Sequence, residues 1–116
     1  MKTQQQLQER LNALLPQIKK DLLDRLNTCN IEIVTAEVAK LNSGGFNVYL
    51  ETGDIKDSHL GYMGQWGIYE YFTLHTWFGT IRDDGTFTIV WQLNFQYATG
   101  GRNGSELPNA RFTYQL

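Results

Sequence analysis

Residues 69–97 decide the fold, and they read YEYFTLHTWFGTIRDDGTFTIVWQLNFQY. On both sides of an Asp-Asp-Gly-Thr segment at 83–86, aromatic or β-branched residues alternate with polar ones. This alternation allows a pleated strand to bury one of its faces. Asp-Gly pairs are typical of the turns in hairpins. The stretch therefore predicts a long antiparallel hairpin that supplies much of the hydrophobic core.

The turn allows two registers, and each places a different face of the hairpin in the core. With Asp84-Gly85 as a two-residue turn, Leu74 shares a face with Trp91, and His75 and Trp77 lie on the other face. A three-residue loop with a bulge at the glycine would instead move His75 and Trp77 into the core. We favour the first register because burying each large apolar side chain contributes about 1.5–3 kcal/mol. Strand preferences span only about 1 kcal/mol.

A second periodic segment precedes the hairpin. Its apolar residues recur at three- and four-residue steps, at Leu7, Leu11, Leu14, Leu15, Ile18, Leu22 and Leu26. This spacing predicts an amphipathic helix over residues 3–27. Because the apolar stripe keeps its phase across Pro16, we predict one kinked helix. A new helix that begins at Pro16 is the alternative.

Shorter alternating runs predict the remaining strands. Residues 31–41 and 46–51 form two strands joined by a tight turn at 42–45, where two glycines supply the positive φ that such turns require. Residues 111–115 form a short last strand. Together with the hairpin, these segments make a twisted antiparallel meander of about five strands.

Two long connections interrupt this sheet, at residues 53–68 and 99–110, and both are rich in glycine. At 116 residues the chain is long enough for one core. We therefore predict a single α+β domain over residues 1–116, in which the N-terminal helix packs on one face of the sheet formed by residues 31–116.

Composition and charge exclude several classes of protein. The formal net charge is −2, and only residues 1–28 have a basic excess, with five basic and three acidic groups. Because nucleic-acid binding requires a clustered basic face, we expect no direct binding to nucleic acid. No apolar run approaches the roughly 20 residues that span a bilayer, so we expect no membrane partner. Cys29 is the single cysteine, which favours a reducing cytoplasm.

The sequence contains no catalytic constellation. His59 and His75 are its two histidines. Ser58 and His59 follow Asp57 directly in the chain, whereas catalytic triads bring together residues that are distant in sequence. Nothing supplies the further ligands that a metal site near His59 would need. We expect a protein that is not an enzyme and that holds neither a cofactor nor a metal.

The aromatic residues of loop 53–68 and the polar face of the hairpin are the candidate contacts for a partner. Long loops without regular structure are often functional, and tryptophan and tyrosine dominate the energetics of protein interfaces. The predicted partner-binding residues are Tyr62, Met63, Trp66, Tyr71, His75, Trp77, Gln92 and Asn94.

These features favour a non-enzymatic macromolecule-binding protein, with another protein as its partner. Its size and charge are similar to those of small acidic inhibitors or antidotes, such as phage anti-defence or toxin-immunity proteins, and by this analogy we expect it to act as one of them. One alternative is a small-molecule-binding or catalytic pocket between helix and sheet, lined by His75 and Trp77. Another is a structural subunit that assembles with copies of itself.

Overall fold

The computed structural model describes residues 2–26, 31–56, 69–76, 79–97 and 100–116, with positions 56, 69–72, 94–97 and 100–109 described by their backbone alone. The elements are helix α1 (Gln4–Leu26) and strands β1 (Ile33–Lys40), β2 (Phe46–Thr52), β3 (Ile55–Lys56), β4 (Tyr69–Thr76), β5 (Gly79–Ile81), β6 (Thr86–Tyr97) and β7 (Gly100–Gln115). None of the helical residues in these ranges forms a segment long and apolar enough to cross a membrane.

All strand pairs are antiparallel, and the order across the sheet is β1-β2-β4-β6-β7. The two remaining strands lie beside this path: β3 pairs with β4, and β5 pairs with β2. β2 and β3 therefore follow one another along one strand position, and β4 and β5 follow one another along the next. The sheet has five strand positions, and their order across the sheet is the order in the chain. The predicted α+β fold, a helix packed on an antiparallel meander, is confirmed.

Helix α1 agrees with its prediction to within one residue at each end and continues through Pro16. It begins with a capping box, in which the backbone N–H of Thr3 donates to Oε1 of Gln6 (2.9 Å) and the N–H of Gln6 donates to Oγ1 of Thr3 (3.1 Å). The predicted apolar stripe faces the sheet. Five of its members are buried, namely Leu7, Leu11, Ile18, Leu22 and Leu26.

The helix contacts both edge strands of the sheet. On one edge, the side chain of Gln8 hydrogen-bonds to the backbone of β1 at Ala36 and Val38. On the other edge, the hydroxyl of Tyr114 in β7 donates to Oδ2 of Asp21 (2.6 Å). Helix α1 therefore bridges the first and last strands and covers the apolar face between them.

The core lies between α1 and this face. Its buried strand residues include Val38, Val48, Leu50, Ile55, Leu74, Phe87, Ile89, Trp91 and Leu93. Trp91 is fully buried, and its indole Nε1 has no hydrogen-bond partner within the described part of the chain. Its position therefore rests on apolar packing, which offsets the cost of burying an N–H group.

The hairpin turn differs from the two-residue turn that we favoured. The N–H of Arg82 donates to the carbonyl of Thr86 (2.8 Å), and the N–H of Gly85 donates to the carbonyl of Arg82 (2.9 Å). Gly85 has a φ of 89°. This is a three-residue loop that ends in a glycine bulge, the turn that local chemistry favours for Asp-Asp-Gly.

The faces of the hairpin nevertheless follow our prediction. Leu74 pairs with Leu93, and both are buried on the helix side. His75 pairs with Gln92, and both are half-buried on the opposite side. The segregation of apolar and polar faces is therefore confirmed, although the turn was predicted wrongly.

A one-residue shift in register reconciles the turn with the faces. Thr76 and Arg82 are six residues apart, whereas their partners Trp91 and Thr86 are five residues apart. The pairing of the hairpin therefore changes by one residue between the turn and β4. The three-residue loop alone would turn Leu74 away from the core. The one-residue shift turns it back, because successive side chains of a strand point to opposite faces.

The pairing with β2 shifts in the same place. Gly79 and His75 are four residues apart, whereas their partners Val48 and Glu51 are three residues apart. Between the same two pairs, the segment of β4 and β5 therefore contains one residue more than β2 on one side and β6 on the other. A shift of this kind leaves backbone groups without their regular partners.

Two buried threonines satisfy backbone groups on the two sides of the Glu51–His75 pair, and that of Thr76 lies at this shift. The N–H of Leu50 in β2 donates to Oγ1 of Thr76 (2.9 Å), and the N–H of Leu74 in β4 donates to Oγ1 of Thr52 (2.9 Å). Both threonine side chains are buried. Their hydroxyls replace the carbonyl oxygens of a regular ladder, so the core face stays closed without unpaired donors at these positions.

The last strand corrects one prediction. Residues 99–110 were predicted as a loop, but β7 begins at Gly100 and pairs with β6 along this stretch. Val90 and Gln92 are two residues apart, whereas their partners Arg111 and Glu106 are five apart. The strand is therefore irregular near Gly104 and Pro108. It forms here because the edge of β6 offers hydrogen-bond partners, although the local sequence does not favour a strand by itself.

The other predicted connection, 53–68, contains the two-residue strand β3, which pairs with β4. The rest of this connection, residues 57–68, lies outside the described residues. The predicted strand at 69–81 corresponds to β4 and β5, and residues 77–78 between them also lie outside.

We expect Thr76→Val to destabilise the fold by about 1–3 kcal/mol, because the buried N–H of Leu50 would lose its acceptor while the side-chain volume stays the same. Thr76→Ser retains the hydroxyl and should cost about 0.8 kcal/mol for the lost methyl group. Urea unfolding followed by circular dichroism measures both. Equal stability of the valine variant and the wild type would contradict the role given to this hydroxyl.

Candidate functional site

The face of the sheet opposite α1, here called the outer face, carries the candidate site. Its centre is a row of polar residues that crosses four strands. Thr35 of β1 pairs with Glu51 of β2, Glu51 pairs with His75 of β4, and His75 pairs with Gln92 of β6. All four residues are half-buried. The row exists because each of these residues alternates with a neighbour that faces the core.

An acidic cluster around a tyrosine adjoins this row. Tyr49 pairs with Glu37 of β1, and its hydroxyl donates to Oε2 of Glu51 (2.7 Å). Partial burial of the phenol raises the pKa of Tyr49 to about 12, and the hydrogen bond and negative charge of Glu51, followed by the charge of Glu37, act in the same direction. The hydroxyl therefore remains a donor at neutral pH and keeps the Glu51 carboxylate in place.

His75 lies on the other side of Glu51. Burial lowers the pKa of His75 below its ordinary value, and the negative charge of Glu51 opposes this effect only in part. The imidazole is therefore mostly neutral at pH 7 and adds little positive charge beside Glu51. The arrangement presents carboxylates, a tyrosine ring and an amide, which suit hydrogen bonding to a basic surface.

The described residues include no group of three or more His, Cys, Asp or Glu side chains that could hold a metal ion. The carboxylate of Glu51 accepts a hydrogen bond from Tyr49. Glu32 forms an ion pair with Lys19, with Nζ and Oε1 2.6 Å apart. These contacts give each of the two carboxylates a structural partner.

The structure brings together part of the predicted site. His75 and Gln92 are paired neighbours on the outer face. Tyr71 and Asn94 lie on the same two strands, where their backbones pair with Gln96 and Thr73. The four other predicted residues, Tyr62, Met63, Trp66 and Trp77, lie outside the described residues.

Sequence reasoning missed Glu37, Tyr49 and Glu51 as members of this site. The alternation in the second predicted strand already placed Tyr49 and Glu51 on one polar face. The alternation did not show which other strand would lie beside this one. The pairing of β2 with β4 places Glu51 beside His75, and this contact depends on the tertiary fold.

The alternative pocket between helix and sheet requires a correction. His75 faces away from α1, because its neighbours Leu74 and Thr76 are the residues that face the core. A pocket on the helix side therefore cannot be lined by His75. A cavity of about 320 Å3 does lie at that side, beside the start of α1 and the two hairpin turns, and it is lined by Lys2, Leu7, Gly45, Phe46, Ile81, Arg82, Asp83, Asp84 and Gly85.

Lowering the pH should destabilise the protein through His75. Because its pKa is lower in the folded than in the unfolded state, the unfolded chain binds more protons as the pH falls below about 6.5. The stability contributed by the neutral imidazole is complete above this pH and is lost below it. We expect His75→Gln to reduce the loss of stability between pH 7.5 and 5.5, as measured by urea unfolding.

The matched comparison is His59→Gln, which removes the other histidine and leaves His75 in place. This variant should retain the contribution of His75 to the pH dependence. If His75→Gln loses as much stability as the wild type over the same pH range, the burial of a neutral imidazole is not the cause.

Comparison of the chain with protein-family models, with curated proteins and with solved structures gave no match.

Proposed function

We propose that this protein is a non-enzymatic binding protein whose outer face contacts a basic surface of a partner protein. The observation that carries the proposal is the cluster of Glu37, Tyr49 and Glu51 beside His75, on the side of the sheet that faces away from the helix. A sheet face whose only role is to meet water does not need a tyrosine between two carboxylates.

Tyr49 is the proposed anchor. Its side chain is 36% exposed, and its hydrogen bond to Glu51 limits the positions that the ring can take. An anchor that is already ordered loses little conformational entropy when a partner binds. Tyrosine is also enriched among the residues that carry most of the energy of protein interfaces.

The carboxylates supply attraction and specificity. Glu37 pairs with Tyr49, Glu51 accepts a hydrogen bond from the Tyr49 hydroxyl, and the lowered pKa of His75 leaves little positive charge beside them at neutral pH. Exposed ion pairs contribute only about 0–1 kcal/mol each. Their main effect is on the rate of association and on the choice of partner, because a basic surface is attracted and an acidic one is repelled.

In this proposal the protein acts by covering a surface of its partner, as small inhibitors and antidotes of the phage anti-defence or toxin-immunity type do. This part rests on analogy of size and charge. The remaining predicted contacts, Tyr62, Met63, Trp66, Tyr71, Trp77 and Asn94, would extend the interface from the outer face. We place the protein in the cytoplasm, where a single cysteine stays reduced.

The test compares two charge-matched double variants. Glu37→Gln/Glu51→Gln removes the two carboxylates beside Tyr49, and Glu9→Gln/Asp24→Asn removes two exposed carboxylates of α1. Proteins from host lysate that bind the wild type are identified by mass spectrometry, and their dissociation constants are measured by calorimetry. We expect about tenfold weaker binding for the outer-face variant and little change for the control.

Higher salt should weaken binding of the wild type and have less effect on the outer-face variant, because screening acts on the charges that the variant lacks. The proposal fails if both double variants bind the captured partner equally well. It also fails if Tyr49→Ala, with its fold verified by circular dichroism, binds as tightly as the wild type.

A second candidate function is the binding of a small molecule in the cavity near the start of α1. Its apolar wall comes from Leu7, Phe46 and Ile81, and its charged groups include Lys2 and Arg82. The volume of about 320 Å3 is at the lower end of ligand pockets. The combination favours a compact ligand with an apolar body and an anionic group.

Asp84 does not oppose such a ligand strongly, because its carboxylate is already part of the turn. Its Oδ1 accepts hydrogen bonds from the N–H (2.9 Å) and hydroxyl of Thr86. The same contacts lower the pKa of Asp84 and keep it ionised. The cations Lys2 and Arg82 therefore share the cavity wall with the carboxylate of Asp83 and with that of Asp84, whose hydrogen-bonding capacity is partly used.

We expect 8-anilinonaphthalene-1-sulfonate, which is apolar and anionic, to shift the NMR signals of Phe46 and Ile81. Arg82→Ala should weaken its binding severalfold by removing a cation from the cavity wall. Arg10→Ala, which removes an exposed cation from the helix, is the control. Equal binding to both variants, or shifts that avoid Phe46 and Ile81, would contradict this function.

A further inference from the structure

The free edge of β1 is protected by side chains from the helix. β1 is the first strand of the sheet, so β2 occupies one of its sides, and no strand in the described part of the chain pairs with the other side. The backbone groups along such an edge can pair with another extended chain, and folded proteins usually block them. In this protein α1 lies along that side.

Two glutamines of α1 bind the edge directly. Oε1 of Gln8 accepts from the N–H of Val38 (2.7 Å), and Nε2 of Gln8 donates to the carbonyl of Ala36 (3.0 Å). Nε2 of Gln4 donates to the carbonyl of Val38 (2.8 Å). A carboxamide has the same donor and acceptor as a peptide group. Gln8 therefore pairs with β1 as a residue of a neighbouring strand would.

We propose that Gln4 and Gln8 make α1 a cover over a strand-pairing edge, and that β1 of a second copy of this chain takes the place of the glutamines when their contacts are lost. Each hydrogen bond of this kind has a modest net effect on stability. The cover therefore consists of a few weak contacts over an edge that could form a longer ladder. This inference is independent of the proposed function of the outer face.

The residues of β1 suit antiparallel pairing with a copy of the same strand. Centred on Ala36, such pairing places Glu37 opposite Thr35 and brings Lys40 near Glu32, which directly precedes β1. No like charges then lie opposite each other, and one of these pairs has opposite charges. The arrangement is a closed two-fold interface, in which both copies contribute the same edge.

Val34 gives a second reason for a copy of this chain as the occupant. It is an apolar residue of β1 with 63% of its surface exposed. In the pairing centred on Ala36, Val34 lies at the register shift of β1 and comes near Val38 of the other copy. The pairing would therefore cover apolar surface that α1 leaves in contact with water.

The experiment compares Gln4→Ala/Gln8→Ala with Gln17→Ala and the wild type. Gln17 is the matched control because its side chain donates to Asp21 within the helix (2.8 Å). Light scattering over a range of protein concentrations measures self-association. Hydrogen exchange measures the protection of the Val38 amide in dilute and in concentrated samples.

We expect the double variant to associate about tenfold more strongly than the wild type and Gln17→Ala, because hydrogen bonds that compete with pairing have been removed. In dilute samples its Val38 amide should exchange faster than in the wild type. In concentrated samples it should become protected again, because it then donates to the second copy.

Three results would overturn the inference: association no stronger than in Gln17→Ala, unchanged exchange at Val38 in dilute samples, or association without renewed protection of Val38. If the double variant does not fold, Gln8→Ala alone replaces it. This variant removes the acceptor for the N–H of Val38 and the donor to Ala36 and keeps the contact of Gln4. It should show the same changes to a smaller extent, and their absence in this folded variant overturns the inference.

Discussion

The structure depends on a one-residue shift in the register of β4 and β5 relative to both of their neighbours. The Asp-Asp-Gly turn requires a three-residue loop, whereas the apolar residues of β4 and β6 require the opposite set of faces. Only a change of register between the turn and β4 satisfies both requirements. The hydroxyl of Thr76 makes this change compatible with a closed core, because it accepts from the backbone N–H of Leu50. The hydroxyl of Thr52 does the same for the N–H of Leu74 on the other side of the Glu51–His75 pair.

The same shift places the candidate site. β4 meets β2 through the pair Glu51 and His75, next to the positions where the threonine hydroxyls replace backbone acceptors. Irregular pairing is common beside functional residues, since it changes the direction of side chains without disturbing the rest of the sheet. On the outer face it brings a neutral histidine beside the tyrosine–carboxylate cluster of Tyr49, whose charge sets the chemistry of the proposed interface.

Helix α1 contacts both edges of this sheet and its inner face, and it uses a different kind of side chain for each contact. Its leucine stripe buries the inner face, Gln8 satisfies the backbone of β1, and Asp21 accepts from Tyr114 of β7. Burial of the phenol and its hydrogen bond to Asp21 raise the pKa of Tyr114, so the contact persists over the whole neutral range. The helix therefore contributes to the core and to the integrity of both edges.

Local sequence by itself determined the helix, the strands of the hairpin and the side of each strand that faces the core. Periods of 3.6 and 2 residues are local properties, and burial of apolar surface acts on them in any tertiary arrangement. It also identified His75 and Gln92 as members of a polar face. Only the tertiary structure decided the neighbours: Glu51 beside His75, Gln8 on the edge of β1, and a paired strand at 100–109. The first two contacts join residues far apart in the chain, and the third depends on the edge of β6, so a partner in space supplies the hydrogen bonds that local preference cannot specify.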